Sequence, residues 1–155
     1  MPSNCSGVVR GLKLAAVLLT ALALVPSAAH LFALPNKIGL PEQQYLVVQG
    51  IYRGWALFGI VLISAVLVNL GLGLALWRRG QRAWPAIVAG LHVALTLAIF
   101  FRWTYPANQA TANWTGMPAN WRQLRAAWEY SHAANAVLTF SALCFTTMAA
   151  TEPRD

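Results

Sequence analysis

The chain has 155 residues, of which 58% are hydrophobic and only 10% are charged, and its mean hydropathy is +0.54. This composition excludes a disordered chain and an ordinary soluble domain. The formal net charge of +7 does not indicate a nucleic-acid partner, because the basic residues flank hydrophobic segments. Basic residues in such positions are expected to contact lipid headgroups.

Four long apolar segments predict the fold. A helix needs about 20 apolar residues to cross a hydrocarbon core of about 30 Å. The expected spans are residues 12–34, 53–77, 84–103 and 128–150. The length leaves room for one such unit, so residues 1–155 are predicted to form a single all-α domain. We expect an antiparallel four-helix transmembrane bundle, multi-pass in a bacterial inner membrane.

The first apolar segment also resembles a cleavable secretory signal. Arg10 and Lys13 precede an apolar run that contains the small residues Ser27, Ala28 and Ala29. The run continues past this point to residue 34 and is long enough to span, which favours a retained helix.

The basic residues outside the spans predict the orientation. With alternating spans, six basic residues lie on one side and five on the other, so the totals do not decide it. The short turn between the second and third spans carries Arg78, Arg79 and Arg82, and short loops weigh most in the positive-inside rule. Both termini are therefore expected on the cytoplasmic side, and the other two loops outside.

The first outward loop is rich in aromatic and amide side chains. Pro35-Asn36-Lys37 predicts the end of the first span, because proline does not continue a helix. A helix is then expected to lead into the second span, with Tyr45, Gln49 and Tyr52 on one face. This face, together with Trp55, is typical of an interfacial aromatic belt. A face that lines a pocket is the alternative.

Counting residues along the spans places their polar side chains at two levels. His30 lies four residues before the end of the first span and His132 four residues after Trp128, so each is about 6 Å inside the outer boundary. Asn69 and His92 both lie about 12 Å from the inner boundary. We expect His92 to bond to Asn69 or to a backbone carbonyl.

One face of the last span carries several polar groups. Arg125, Glu129 and His132 are spaced i, i+4, i+7, and Asn135 extends the stripe inward. Glu129 is the only acid close to a span, so it must be paired, and Arg125 one turn earlier is the expected partner. A hydrogen bond to Glu129 would also orient the His132 imidazole and strengthen it as a base.

This face has three interpretations, which the residues alone leave open. It is a polar cluster that joins the first and last spans, or it is a metal or haem site. A single metal ion would use His30, Glu129 and His132, and a haem would use His30 and His132. The third interpretation is a metal-free pocket in which His132 or His30 removes a proton from a lipophilic aromatic substrate. Arg125 would then stabilise the anion.

The segment between the third and last spans carries a specific set of motifs. They are Tyr105-Pro106-Ala107-Asn108, Asn113-Trp114, Pro118-Ala119-Asn120-Trp121, Leu124-Arg125 and Trp128-Glu129-Tyr130-Ser131-His132. This set resembles the terminal signature of a family of small four-helix membrane proteins, largely of unknown function. The family includes the anthrone oxygenases of aromatic polyketide pathways.

The resemblance implies cofactor-free oxygenation, in which a base forms the enolate of an activated aromatic ketone and the enolate reacts with O2. The positions that match the family are Asn108, Trp121, Arg125, Trp128 and His132.

Together these observations predict an oxygenase or oxidoreductase-like membrane enzyme without a cofactor. The expected catalytic residues are His132, Glu129, Arg125 and His30. The expected substrate-binding residues are Tyr52, Trp55, Asn108, Trp121, Trp128 and Asn135. The alternatives are a non-catalytic membrane subunit or small-molecule-binding scaffold, and a haem or single-metal protein.

The expected partners are the lipid bilayer, a small lipophilic molecule, and a second copy of the chain or a larger membrane complex. Small residues are expected to allow close helix contact. They are Gly59, Gly71, Gly73, Ala89 and Gly90.

Overall fold

The structure, a computed structural model, describes the backbone of residues 3–152 and the side chains of residues 7–152. Every regular element in this part of the chain is helical. The α-helices are α1 (Ser3–Lys37), α2 (Glu42–Gln49), α3 (Phe58–Trp77), α4 (Trp84–Ile99), α5 (Tyr105–Ala110) and α6 (Trp121–Thr151). Two short 3₁₀ turns, Gly50–Tyr52 and Trp55–Leu57, connect α2 to α3, and a π-helical segment, Phe100–Thr104, connects α4 to α5.

Four helical segments are long and apolar enough to cross a membrane. They are Gly7–Lys37, Trp55–Trp77, Trp84–Ala110 and Trp121–Thr151. Helix α1 packs against α3 and α6, and α4 packs against the same two helices, so the four form a closed ring. Large apolar side chains are exposed on the outside of this ring, among them Leu18, Leu67 and Phe140. Lipid is the solvent that suits such a surface.

Helix α1 is longer than the sequence predicted. Pro35 lies inside the helix, which continues to Lys37, and Ile38 N still donates to Leu34 O at 3.0 Å. The span therefore ends at Lys37, within the predicted segment, but Pro35 itself does not stop the helix. A proline removes only one backbone donor near the end of a helix, and membrane helices tolerate this loss. As a result, Lys37 lies two turns beyond His30 on the same face of α1.

The two longest helices bury one continuous stripe each. The buried residues of α1 are spaced three, four or seven residues apart, at positions 9, 16, 20, 23, 27, 30 and 37. Those of α6 include positions 121, 125, 128, 135, 139, 142, 146 and 149. A repeat of 3.5 residues is typical of two α-helices that wind around each other in a left-handed supercoil. Many of these side chains are small, which lets the two backbones approach closely.

A hydrogen-bond network fixes three helices to one another inside the bundle. Asn69 on α3 donates from Nδ2 to Thr20 Oγ1 on α1 at 2.9 Å. Its Oδ1 accepts from Thr146 Oγ1 on α6 at 2.8 Å. His92 does not join this network, because its Nδ1 pairs with Val88 O on its own helix at 2.8 Å. Of the two partners expected for His92, the backbone carbonyl is therefore the one observed.

Two of the predicted glycines mark a close contact between α3 and α4. A Cβ atom on Gly73 would lie 2.7 Å from Cγ1 of Ile87, and one on Gly90 would lie 2.7 Å from Cδ2 of Leu70. Ala89, on the same helix as Gly90, is fully buried. The prediction is wrong for the two glycines that have open space around them, Gly59 and Gly71.

Candidate functional site

A buried lysine lies at the centre of the candidate site. Lys37 is only 3% exposed, and its Nζ lies 2.9 Å from Glu129 Oε1 and 3.4 Å from His30 Nδ1. The rings of Tyr52 and Trp128 lie beside the same atom, with centroids at 4.6 and 5.1 Å. A lysine ammonium can only donate hydrogen bonds, so the Nδ1 atom of His30 is the acceptor. The proton of the neutral His30 imidazole is then on Nε2.

Glu129 is fully buried on α6 and accepts two hydrogen bonds at one oxygen. Besides Lys37, the Tyr45 hydroxyl donates to Oε1 at 2.9 Å, and Gln49 Nε2 donates to that hydroxyl at 2.8 Å. Burial, and then the nearby Glu129 carboxylate, raise the pKa of Tyr45 above its ordinary value, so the phenol stays a donor. The same two causes raise the pKa of Tyr52.

The expected pair of Arg125 and Glu129 is wrong. Arg125 Nη1 donates to Leu40 O at 2.7 Å, and its guanidinium lies over the Trp121 ring at 4.6 Å. The physical reason is that α1 continues through its last proline and brings the Lys37 ammonium to the carboxylate first. Within residues 7–152, no hydrogen bond joins Glu129 to His132, so the predicted orienting contact is not observed either.

The structure brings the imidazoles of His30 and His132 together. The ring centroids of His30 and His132 are 4.2 Å apart, as their equal distance from the span ends predicted. Trp128 lies at 4.6 Å from His30 and at 4.3 Å from His132. Tyr52 and Trp55 also lie against His30, at 4.1 and 5.7 Å. Five of the predicted site residues therefore form one aromatic cluster.

The arrangement does not fit the alternative of a single metal ion at His30, Glu129 and His132. In the part of the chain that the structure describes, no three His, Cys, Asp or Glu side chains are placed to hold one metal ion. His30 and Glu129 both contact the Lys37 ammonium, and a cation already lies between these two groups. The imidazoles of His30 and His132 are in ring contact, so as arranged they leave no space for a haem between them.

Asn108 positions tryptophans over the site. Its Oδ1 accepts from Trp128 Nε1 at 2.8 Å and from Trp114 Nε1 at 3.0 Å. Trp114 in turn packs edge-to-face on Tyr45, with ring centroids 5.2 Å apart. The predicted binding residue Asn108 therefore holds the aromatic cover in place.

A turn in the left-handed conformation places Trp114 against Tyr45. Ala112, Asn113 and Trp114 have φ angles of 48°, 55° and 62°, a region that residues other than glycine rarely adopt. The Trp114 N–H donates to Thr111 Oγ1 at 3.1 Å, which stabilises the turn. Three consecutive strained residues indicate that the surrounding contacts determine this conformation.

The other predicted residues lie at the edge of the cluster. Trp121 packs near Tyr45 at 6.3 Å and stacks with Arg125. Asn135 is buried, but no hydrogen bond joins its side chain to the groups described above. Four buried atoms have no hydrogen-bond partner within the described side chains: Gln49 Oε1, Arg125 Nε, Glu129 Oε2 and Asn135 Oδ1.

The sequence reasoning did not identify Lys37, Tyr45, Gln49 or Trp114 as site residues. Tyr45 and Gln49 are 0% and 6% exposed and bond toward Glu129, so these two side chains are buried against α6 and do not form an exposed interfacial belt. The signal for Lys37 was its position seven residues after His30, which places both on one face of a continuous helix.

Comparison with protein-family models gives no match to this chain, and comparisons with curated proteins and with solved structures give none either.

Proposed function

We propose that this protein is a membrane enzyme that removes a proton from a small lipophilic, aromatic carbon acid and oxygenates it without a cofactor. The observation that carries the proposal is the buried Lys37, whose ammonium contacts the Glu129 carboxylate and the His30 imidazole beside His132. Ionisable groups at membrane depth are expensive and are functional by default. The resemblance to the anthrone-oxygenase family gives the reaction class.

The hydrogen-bond partners support separate roles for the two imidazoles. The Nδ1 lone pair of His30 is engaged by Lys37. No hydrogen bond to His132 is present among the described side chains, so its lone pair is available to accept a proton. His132 is therefore the general base, and His30 presents an N–H donor. Lys37 and Arg125 supply the positive charge that favours an enolate at this site.

The chemistry balances with O2 as the only co-reactant. His132 takes a proton from a CH2 group that is activated by an aromatic ketone, and the resulting enolate carbon forms a bond to O2. Return of the proton gives a hydroperoxide. Removal of the second C–H proton forms the C=O bond and breaks the O–O bond, and the leaving hydroxide takes that proton and departs as water. The carbon loses four electrons and O2 gains four.

Unpartnered buried atoms support a ligand at this place. The Oε2 atom of Glu129 and the Nε atom of Arg125 have no hydrogen-bond partner among the described residues, although both are buried. Buried polar atoms in proteins are nearly always bonded. A phenolic hydroxyl would donate to the carboxylate, and a ketone oxygen would accept from the guanidinium.

The test is O2 consumption by the purified full-length protein with a series of activated phenolic ketones. We expect the change His132→Gln to lower turnover by a factor of about 10²–10⁴, the usual contribution of a general base. His92→Gln is the matched control, because His92 bonds only within its own helix, and it should retain activity. Equal turnover in both variants, or no turnover by the parent protein with any ketone of the series, would contradict the proposal.

We also propose that the spans alternate in direction and that both termini are cytoplasmic, so that the site lies near the outer face of a bacterial inner membrane. The support is the turn of residues 78–83 with its three arginines, since short basic loops stay inside. Reporter fusions at the two termini and in the segment of residues 111–120 test this. A terminal reporter that is active outside the membrane would contradict the orientation.

A second candidate function is a non-catalytic subunit or small-molecule-binding scaffold. The observation that favours it is the filling of the space around His30 by rings, with centroids at 4.1–5.7 Å. In addition, the polar contacts of the site join α1, α2 and their connection to α6. Under this function, changes at Lys37 and Glu129 lower stability and the parent protein itself shows no turnover. Mass spectrometry then identifies the molecule that co-purifies with the protein.

A further inference from the structure

The rings that cover the candidate site fall into two groups, and one group is fixed by hydrogen bonds. Asn108 Oδ1 accepts from the indole nitrogens of both Trp114 and Trp128, at 3.0 and 2.8 Å. The Trp114 backbone N–H also donates to Thr111 Oγ1 at 3.1 Å. A network of satisfied polar groups makes this side of the cover rigid.

The second group belongs to the segment of residues 50–57 and has no such bonds. Tyr52 and Trp55 contact the ring of His30, with centroids at 4.1 and 5.7 Å. Within the part of the chain whose side chains are described, no side chain of residues 50–57 takes part in a hydrogen bond or an ion pair. Packing without directional bonds therefore holds this side of the cover.

The segment of residues 50–57 also faces the lipid. It leads into the second apolar span, which begins at Trp55. Ile51 and Leu57 are 65% and 71% exposed, and exposed apolar side chains at the start of a span are suited to contact with lipid. The aromatic rings of the same segment are half-buried and contact His30. These rings therefore separate His30 from the bilayer on this side of the bundle.

Gly54 lies between the two rings of the segment, where the chain turns sharply. It separates the two 3₁₀ turns and has a φ angle of +89°, a region that favours glycine. A Cβ atom at this position would meet nothing within 4 Å, so the backbone conformation, and not packing, requires the glycine. A change of φ here would move the adjacent rings relative to His30.

We infer that the segment of residues 50–57 is a gate, with Gly54 as its hinge, through which a lipophilic aromatic ligand enters the site directly from the bilayer. Opening on this side breaks ring contacts, whereas opening on the other side also breaks the two bonds of Asn108. Parts of a protein with few such bonds open locally at the lowest cost. The inference rests on the proposed function, because only a ligand dissolved in lipid needs this route.

Hydrogen–deuterium exchange of the full-length protein in lipid nanodiscs tests the gate without a ligand. In the parent protein, the amides of residues 53–57 should be less protected than those of residues 111–116. Gly54→Ala strains the closed turn and should speed exchange in the gate about tenfold, the effect of a side chain in the left-handed conformation. Gly50→Ala is the matched control and should not speed it, because Gly50 has a φ angle of −59° and equally open surroundings.

Photolabelling with benzophenone tests whether the gate admits a ligand. Benzophenone is a lipid-soluble aromatic ketone without a C–H bond next to its carbonyl, so it has no proton for the base to remove. Irradiation bonds it to nearby C–H groups, which mass spectrometry locates. The measured quantity is labelling of the buried residues around His30 relative to that of Phe140, which is exposed to lipid. We expect this ratio to rise in Gly54→Ala and not in Gly50→Ala.

Equal protection of residues 53–57 and 111–116 in the parent protein would overturn the gate, and this comparison remains informative if Gly54→Ala does not fold. Equal exchange in the two glycine variants, or equal labelling around His30, would overturn it as well. Neither readout needs turnover. A gate that opens as expected in a protein that oxygenates no ketone would therefore support this inference and contradict the proposed function alone.

Discussion

The ammonium of Lys37 lies 2.9 Å from the carboxylate of Glu129, and both side chains are almost completely excluded from solvent. The lysine is the last residue of α1, and the glutamate lies in the third turn of α6. Removing one member of such a pair leaves an uncompensated buried charge, whereas replacing both by apolar residues does not.

We expect Glu129→Gln and Lys37→Met each to lower the free energy of unfolding by about 3–5 kcal/mol. The double variant, Lys37→Met with Glu129→Leu, should lose less than either single variant. Unfolding in mixed detergent micelles measures these differences. The exposed pair of Arg82 and Glu152 is the control, and Glu152→Gln should change stability by less than about 1 kcal/mol. Additive losses in the double variant would show that the two charges do not compensate each other.

The raised pKa of Tyr45 predicts a titration result. An ordinary tyrosine ionises near pH 10.0, but burial and the Glu129 carboxylate keep the Tyr45 phenol protonated well above that pH. The folded parent and the folded Tyr45→Phe variant should therefore show equal tyrosinate absorbance at pH 10–11. After unfolding, the parent should show one additional tyrosinate. Unfolding thus releases a proton in this range, so the contribution of Tyr45 to stability declines as the pH rises above about 10. An additional tyrosinate in the folded parent would contradict the burial of this phenol.

Two adjacent threonines of α6 should differ in their effect on stability. Thr146 is fully buried and donates to Asn69 Oδ1 on α3, whereas Thr147 is exposed and bonds only to Leu143 O on its own helix. Thr146→Val should cost about 1 kcal/mol, within the range measured for hydrogen bonds between membrane helices. Thr147→Val should be close to neutral. Similar losses at both positions would mean that the bond to Asn69 adds nothing to stability.

Sequence reasoning predicted the spans and the meeting of the imidazoles, because both depend only on counting residues along helices. It did not find the partner of Glu129, because that required knowing that α1 continues through Pro35. Periodicity showed that Tyr45, Gln49 and Tyr52 share a face. It could not show what that face contacts, since the path of the chain between α1 and α2 decides this.

The glycines of α3 provide a matched pair. A Cβ atom on Gly73 would come within 2.7 Å of Ile87 Cγ1 and 3.5 Å of its backbone N, whereas nothing lies within 4 Å of that position on Gly71. Gly73→Ala should therefore destabilise the bundle by about 1–3 kcal/mol, the usual cost of overpacking. Gly71→Ala should stabilise it by up to about 1 kcal/mol through helix propensity. Thermal unfolding of the two variants measures the difference, and a stabilised Gly73→Ala variant would refute the close contact.

The left-handed turn over the site stores strain that a glycine would relieve. Ala112 has a φ angle of 48° and an exposed side chain, so Ala112→Gly removes no packing. Because the left-handed conformation costs an ordinary residue about 1–2 kcal/mol, we expect this variant to be more stable by about 1 kcal/mol. Ala110→Gly is the control, since Ala110 is also exposed but ends α5 in the right-handed conformation. Unfolding experiments should show a loss for Ala110→Gly and a gain for Ala112→Gly, and a loss at both positions would argue against strain.

The stripe of α1 has a mechanical consequence for the bundle. Thr20 and Lys37 lie on the same stripe, and each is bonded to other helices at a different depth. A shift of α1 by one residue would rotate its face by about 100° and remove both side chains from their partners together. These two contacts therefore fix the register of α1 at two levels, about 25 Å apart along its axis.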